Sequence, residues 1–218
     1  MRPWIREARL ASVFPAGTSR EMHAGLARLC VLMEDLRIEW YCQYDGSISS
    51  STRVEPNVRT TYFLRRAVAT LVEFADVVTR LEREMDFQRV KARFKPEALA
   101  QWAEAVGFFG SNEPFLTQVR NDVGGHFGHM AAVYAVENFQ PDADGKIEIL
   151  ETGPGAAAER LHFTSEIAAT ALIRHLSGST TEEKVESLVK TVVDAVRHAT
   201  QAVHLVTACY LWDRFGGG

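Results

Sequence analysis

The sequence lacks the uninterrupted run of about 18 uncharged apolar residues that a bilayer-spanning helix requires, so no membrane partner is expected. It also has no Cys-x-x-Cys pair. Its three cysteines, Cys30, Cys42 and Cys209, are an odd number in apolar helical patterns, the pattern of reduced thiols rather than of a disulfide framework. A Gly-x-x-x-x-Gly-Lys-Ser/Thr loop and a Gly-x-Ser-x-Gly elbow are both missing, which removes the usual scaffolds for P-loop nucleotide hydrolysis and α/β-hydrolase chemistry. Positive charge is not in excess: 24 Lys and Arg stand against 28 Asp and Glu, a net charge of -4. Any contact with nucleic acid therefore needs a local basic patch. Met1 to Leu10 carries charges and Pro3 instead of an apolar secretory core, and with the reduced cysteines this predicts a cytoplasmic protein.

What is present is an ordinary globular composition, 46% hydrophobic and 24% charged over 218 residues, which is enough for one domain with a sizeable core. The fold class predicted is all-α, a multi-helix bundle. Residues 1–19, with Pro3, Pro15 and Gly17, read as an N-terminal arm. From Arg20 to Tyr44 apolar residues recur at three- and four-residue steps, Leu26, Leu29, Cys30, Met33, Leu36, Trp40 and Tyr44, which predicts a helix with one inward stripe. A second helix is predicted over 59–85 with Tyr62, Leu64, Val68, Leu71, Ala75, Val78, Leu81 and Met85 inward. Pro96 opens a third, ended by Gly110; Asn112, Glu113 and Pro114 then look like the start of a fourth, running to about Phe139. The connection 141–163 carries alternating runs that predict a small β-hairpin near residues 146–163. A short helix over 164–176 follows, and the capping-box spacing of Thr180 and Glu183 opens a last helix to about Trp212, with Val185, Leu188, Val192, Val196, Ala199, Val203, Val206 and Tyr210 on one inward face.

Chemistry concentrates in Val119-Arg120-Asn121-Asp122-Val123-Gly124-Gly125-His126-Phe127. Two adjacent glycines cost roughly 2 kcal/mol relative to alanine in a helix interior, so this stretch needs a packing or functional compensation. Arg120, Asn121 and His126, separated by Asp122 to Gly125, resemble the motif of the HEPN superfamily, helical bundles whose ribonuclease members carry Arg, then Asn, Asp or His, then His a few residues later. The resemblance covers seven residues, Arg120 to His126. It implies a metal-independent endoribonuclease in which the ribose 2′-OH attacks the adjacent phosphate and leaves a 2′,3′-cyclic phosphate. His126 would be the general acid or base, since imidazole titrates near neutrality. Arg120 would stabilise charge building on the phosphate, and Asn121 would orient a partner. The same resemblance implies a homodimer, with an inhibitory protein partner as a further expectation.

A regular helix would place Arg120 and His126 about 120° apart and about 9 Å apart along the axis. Convergence therefore requires a kink at Gly124-Gly125 or residues from two subunits. Gly124, Gly125, Gly128, Ala131, Ala132 and Ala135 form a strip of small residues along which another backbone could approach. Arg80, Arg83, Arg89, Lys91 and Arg93 make a basic run that reads either as a solvated face or as an RNA-binding strip. Two further readings stand beside the ribonuclease. One is a non-catalytic helical interaction module. The other is a metal-binding helical protein built on His126 and His129, but no Cys, Asp or Glu joins them at ligand spacing, so neither metal nor other cofactor is expected. Arg197-His198 followed by His204 meets a looser, five-spacer form of the motif inside a well-patterned helix, and His162 and His175 read as structural.

Overall fold

A computed structural model describes residues 9–15, 19–45, 56–124, 127–139, 147–153, 156–161 and 164–215. Its framework is helical: α1 Leu10–Val13, α2 Arg20–Tyr44, α3 Pro56–Arg83, α4 Met85–Lys91, α5 Pro96–Val119, a π-helical turn Arg120–Gly124, α6 His129–Glu137, α7 Thr164–Leu172 and α8 Thr181–Phe215. Between α6 and α7, β1 Ile147–Gly153 and β2 Ala156–Leu161 pair antiparallel from Ile147↔Leu161 to Gly153↔Ala156, with an irregularity between Glu151 and Gly153. Among the described residues no helix is long and apolar enough to cross a membrane. Most of the predicted arm, residues 1–8 and 16–18, and the turn residues 140–146 lie outside the described residues.

The chain forms two compact units. The first comprises Met1–Met33, Phe74–Ser111 and Arg197–Gly218. Its core holds Leu26, Leu29, Phe74, Leu81, Phe87, Trp102 and Phe109, with Phe74 stacked on Phe109 and Phe87 against both Phe94 and Trp102. The buried Trp102 indole needs an acceptor, and donates from Nε1 to Glu82 Oε2 at 2.7 Å; Lys91 Nζ holds the other oxygen at 2.6 Å. Burial alone would raise the Glu82 carboxyl, but the bonds from Lys91 and Trp102 outweigh it and bring it below its ordinary value. Glu84 caps α4 by accepting from Asp86 N, so a separate helix begins at Met85, where the predicted second helix ends.

The second unit comprises Glu34–Glu73 and Asn112–Val196. Leu36, Val68, Leu71, Leu116, Val119, Val123, Leu172, Leu188 and Val192 are among its buried apolar residues. The capping box at α8 is formed reciprocally: Glu183 N donates to Thr180 Oγ1 at 3.2 Å, and Glu183 Oε2 accepts from Thr180 N at 3.3 Å.

Several expectations are corrected. Asn112 to Pro114 do not start a helix, because α5 runs unbroken from Pro96 to Val119 with Pro114 inside it. An interior proline costs about 3 kcal/mol, whereas burying side chains such as Phe109, Leu116 and Val119 contributes roughly 1.5–3 kcal/mol each, so continuity wins. Tyr44, Tyr62, Met85 and Val185, assigned to inward stripes, are exposed. In the last turns of α2 the inward positions go instead to Glu39 and Gln43. Glu39 Oε1 lies 3.5 Å from Arg66 Nε, while Glu39 Oε2 and Gln43 Nε2 have no hydrogen-bond partner among the described residues.

Burial raises the Glu39 carboxyl above its ordinary value, against the smaller opposing effects of Thr70 and Arg66. The folded chain therefore holds this proton more tightly than the unfolded chain, and the group's contribution to stability falls as pH rises through and above about 4.3, the unfolded carboxyl value. A Glu39→Gln variant, which copies the protonated form, is expected to need more urea to unfold than wild type at pH 7, with the gap closing by pH 4. An equal gap at both pH values would contradict this assignment.

Candidate functional site

The α-helical hydrogen-bond ladder of α5 stops at Val119, and Arg120–Gly124 adds one π-helical turn before α6 begins at His129. Such turns accommodate an extra residue and recur at functional sites. Two glycines permit the local geometry through close approach. A Cβ on Gly124 would stand 3.1 Å from Arg120 Cγ and 3.5 Å from Ala69 Cβ, and one on Gly128 would stand 3.3 Å from the Asp122 carbonyl oxygen. That carbonyl accepts from Gly128 N at 2.8 Å and closes a wide turn. The next carbonyl, of Val123, accepts from Arg65 Nε on α3 at 2.5 Å. Arg65 also places its guanidinium carbon 5.8 Å from the centre of the Phe127 ring, within cation–π range.

Arg120 and Asn121 bond to each other, whereas Asp122 meets residues beyond α7. Arg120 donates from Nε and Nη2 to Asn121 Oδ1 at 3.3 and 3.1 Å, and its Nη1 stands 3.7 Å from Glu73 Oε1. Asn121 thus fixes one edge of the guanidinium. Asp122, counted as a spacer in the sequence, is tied down instead: its Oδ2 meets Arg174 Nη1 at 3.2 Å and His175 Nε2 at 2.5 Å. Sequence reasoning missed this cluster, since 52 residues separate Asp122 from Arg174 and no local pattern links them. His126 lies outside the described residues.

The strip of small residues is used within the chain. Ala131 and Ala135 are fully buried in the second unit, where α6 packs against α7, so this face of α6 does not offer the free approach predicted for another backbone. His129 is exposed. No group of three or more His, Cys, Asp or Glu that could hold a metal occurs among the described residues.

The basic run belongs to the first unit, and among the described residues at least three of its five are neutralised locally. Arg80 pairs with Asp76 at 2.7 Å, Arg89 with Asp86 at 2.8 Å and Lys91 with Glu82 at 2.6 Å. Arg83 and Arg93 are exposed. His198, from the looser motif, is buried and stacked on Phe108 with ring centres 4.7 Å apart, a core role. The cysteines are free and half-buried. Burial pushes the Cys209 thiol above its ordinary value, outweighing Lys95, which disfavours a nucleophilic thiolate.

No protein-family model, curated protein or solved structure matches this chain.

The Asp122 carboxylate joins the π-helical turn to the residues that follow α7, so its removal tests what holds the turn. Charge-assisted hydrogen bonds are worth about 1.5–3 kcal/mol, and Asp122→Ala is expected to lower unfolding free energy by about that amount. Urea denaturation measures it, and a change below about 0.5 kcal/mol, the scatter of surface substitutions, would mean that the turn is held by packing alone.

Proposed function

We propose that this chain is a HEPN-like, metal-independent ribonuclease that acts through Arg120, Asn121 and His126. The observation that carries the reading is the Arg120–Asn121 pair on a π-helical turn, placed where the helix breaks rather than on a regular helical face. With Nε and one Nη2 hydrogen engaged by Asn121, the guanidinium is oriented, and its Nη1–Nη2 edge is the one suited to two phosphate oxygens. Glu73, 3.7 Å from Nη1, is the competitor that an incoming phosphate displaces.

In the reaction, the 2′-oxygen forms a bond to phosphorus as the bond from phosphorus to the 5′-oxygen breaks. The 2′-OH proton passes to a base, and the leaving 5′-oxygen receives a proton from an acid. His126 serves one of these transfers. Arg120 stabilises the charge on the non-bridging oxygens. The products are a 2′,3′-cyclic phosphate and a 5′-OH end. A second copy of the chain supplies the other half of a composite site, and the face of α6 turned away from Ala131 and Ala135, which exposes Met130 and Val136, is the one open to it. An inhibitory protein partner belongs to the same reading.

Wild type is expected to cleave RNA in EDTA to 2′,3′-cyclic phosphate ends. Folded His126→Ala and Arg120→Ala variants should each be slower by about 100-fold or more. Cleavage by wild type and His126→Ala at the same rate would remove the assigned site, and no cleavage by wild type across a broad RNA panel would favour the non-catalytic interaction module.

A further inference from the structure

Arg65 differs from the other half-buried arginines among the described residues. Arg28, Arg120 and Arg174 each face a carboxylate, and Arg59, which is buried, donates to the carbonyls of Gln43 and Asp45. Arg65 is half-buried, yet its one hydrogen bond among the described residues is to the Val123 carbonyl, and no carboxylate there neutralises it. Withdrawing a cation from water without a counter-charge is costly, and an anion would relieve that cost.

The guanidinium is also aimed. Nε is fixed on Val123 and the guanidinium carbon on the Phe127 ring, two anchors that flank residues 125 and 126 in the sequence. The terminal Nη1 and Nη2 atoms have no partner among the described residues, and together they form the planar fork that matches a phosphate. Tyr62 lies three residues before Arg65 on the same helix, and it is exposed. A guanidinium held against one aromatic ring, with a second ring one helical turn away on the same helix, suits single-stranded nucleic acid, where phosphates meet arginine and unstacked bases meet ring faces.

We propose that Arg65 is a second phosphate-binding residue of this site, taking an RNA backbone phosphodiester through Nη1 and Nη2 while Phe127 and Tyr62 offer ring faces to neighbouring bases. It rests on the ribonuclease reading for the identity of the polymer. Arg120 then holds the phosphate under attack and Arg65 an adjacent one. Burial lowers the Arg65 pKa, against a smaller opposing effect of Tyr62, but an arginine keeps its charge at neutral pH.

The test is binding of a fluorescein-labelled 2′-O-methyl oligouridylate, which has no 2′-OH to attack, to the full chain across a salt series. Arg65→Gln is expected to weaken binding by about tenfold or more and to reduce the slope of log affinity against log salt by about 0.7, the loss of one single-strand phosphate contact. Arg65→Lys keeps the charge and can still reach the Val123 carbonyl, so it should retain the slope while losing affinity through loss of the fork. A purely structural role would lower thermal stability and leave the slope unchanged. Unchanged affinity in folded Arg65→Gln, or in Arg65→Lys if the Gln variant does not fold, overturns the proposal. Cleavage of ordinary RNA by the same wild-type preparation separates the two readings: binding through Arg65 without cleavage keeps the phosphate site and ends the nuclease, and neither binding nor cleavage ends both.

Discussion

The constraint on which the candidate site depends is backbone hydrogen bonding at a broken helix. Once the α-helical ladder ends at Val119, the carbonyls that follow must find other donors or remain buried and unpaired, which costs about as much as the bond each would have made. The Asp122 carbonyl takes Gly128 N, and the Val123 carbonyl takes Arg65 Nε. The turn is therefore closed by its own continuation on one side and by α3 on the other. The side chains hung on it, Arg120, Asn121 and Asp122, inherit their directions from that closure.

Charge is distributed along the same lines. In the first unit, Asp76 lies between Arg28 and Arg80, each 2.7 Å away. Burial would raise its carboxyl, and the bonds from Arg80 and Arg28 hold it below its ordinary value. Arg89 and Lys91 likewise face acids. Exposed pairs such as Arg80–Asp76 and Arg89–Asp86 add little stability, typically 0–1 kcal/mol each, but with the part-buried Lys91–Glu82 pair they change what the basic run is: three of its five cations are paired among the described residues. In the second unit, half-buried Arg65 keeps its charge without a carboxylate among the described residues. That cation lies outside the basic run.

The polar residues buried in α2 and α3 point the same way. Glu39 and Gln43 occupy inward positions where the sequence offered Trp40 and Tyr44 as the apolar stripe. Arg59 reaches across to the carbonyls of Gln43 and Asp45 and satisfies the last turn of α2. Buried polar groups must be partnered to be neutral in stability. Glu39 Oε2 and Gln43 Nε2, without partners among the described residues, leave this seam less stable than an apolar one of the same shape would be.

The helical framework was legible because apolar residues at three- and four-residue steps bury one face of a helix whatever it packs against. Leu26, Leu29, Met33 and Leu36 in α2 and Leu188, Val192 and Val203 in α8 are buried as their spacing required. The capping box of Thr180 and Glu183 was legible for the same reason: its partners are three residues apart and need nothing else. The unusual character of Arg120 to His126 was legible from composition alone, through two glycines beside an arginine, an amide and an imidazole. Tertiary structure decided what depends on distant residues. It carried α5 through Pro114, turned Ala131 and Ala135 inward, joined Asp122 to Arg174 and His175, and set Arg65 against Val123 and Phe127. Each of these turns on the burial of side chains or on a charge meeting a group some fifty residues away, and no local spacing encodes where the far partner will be.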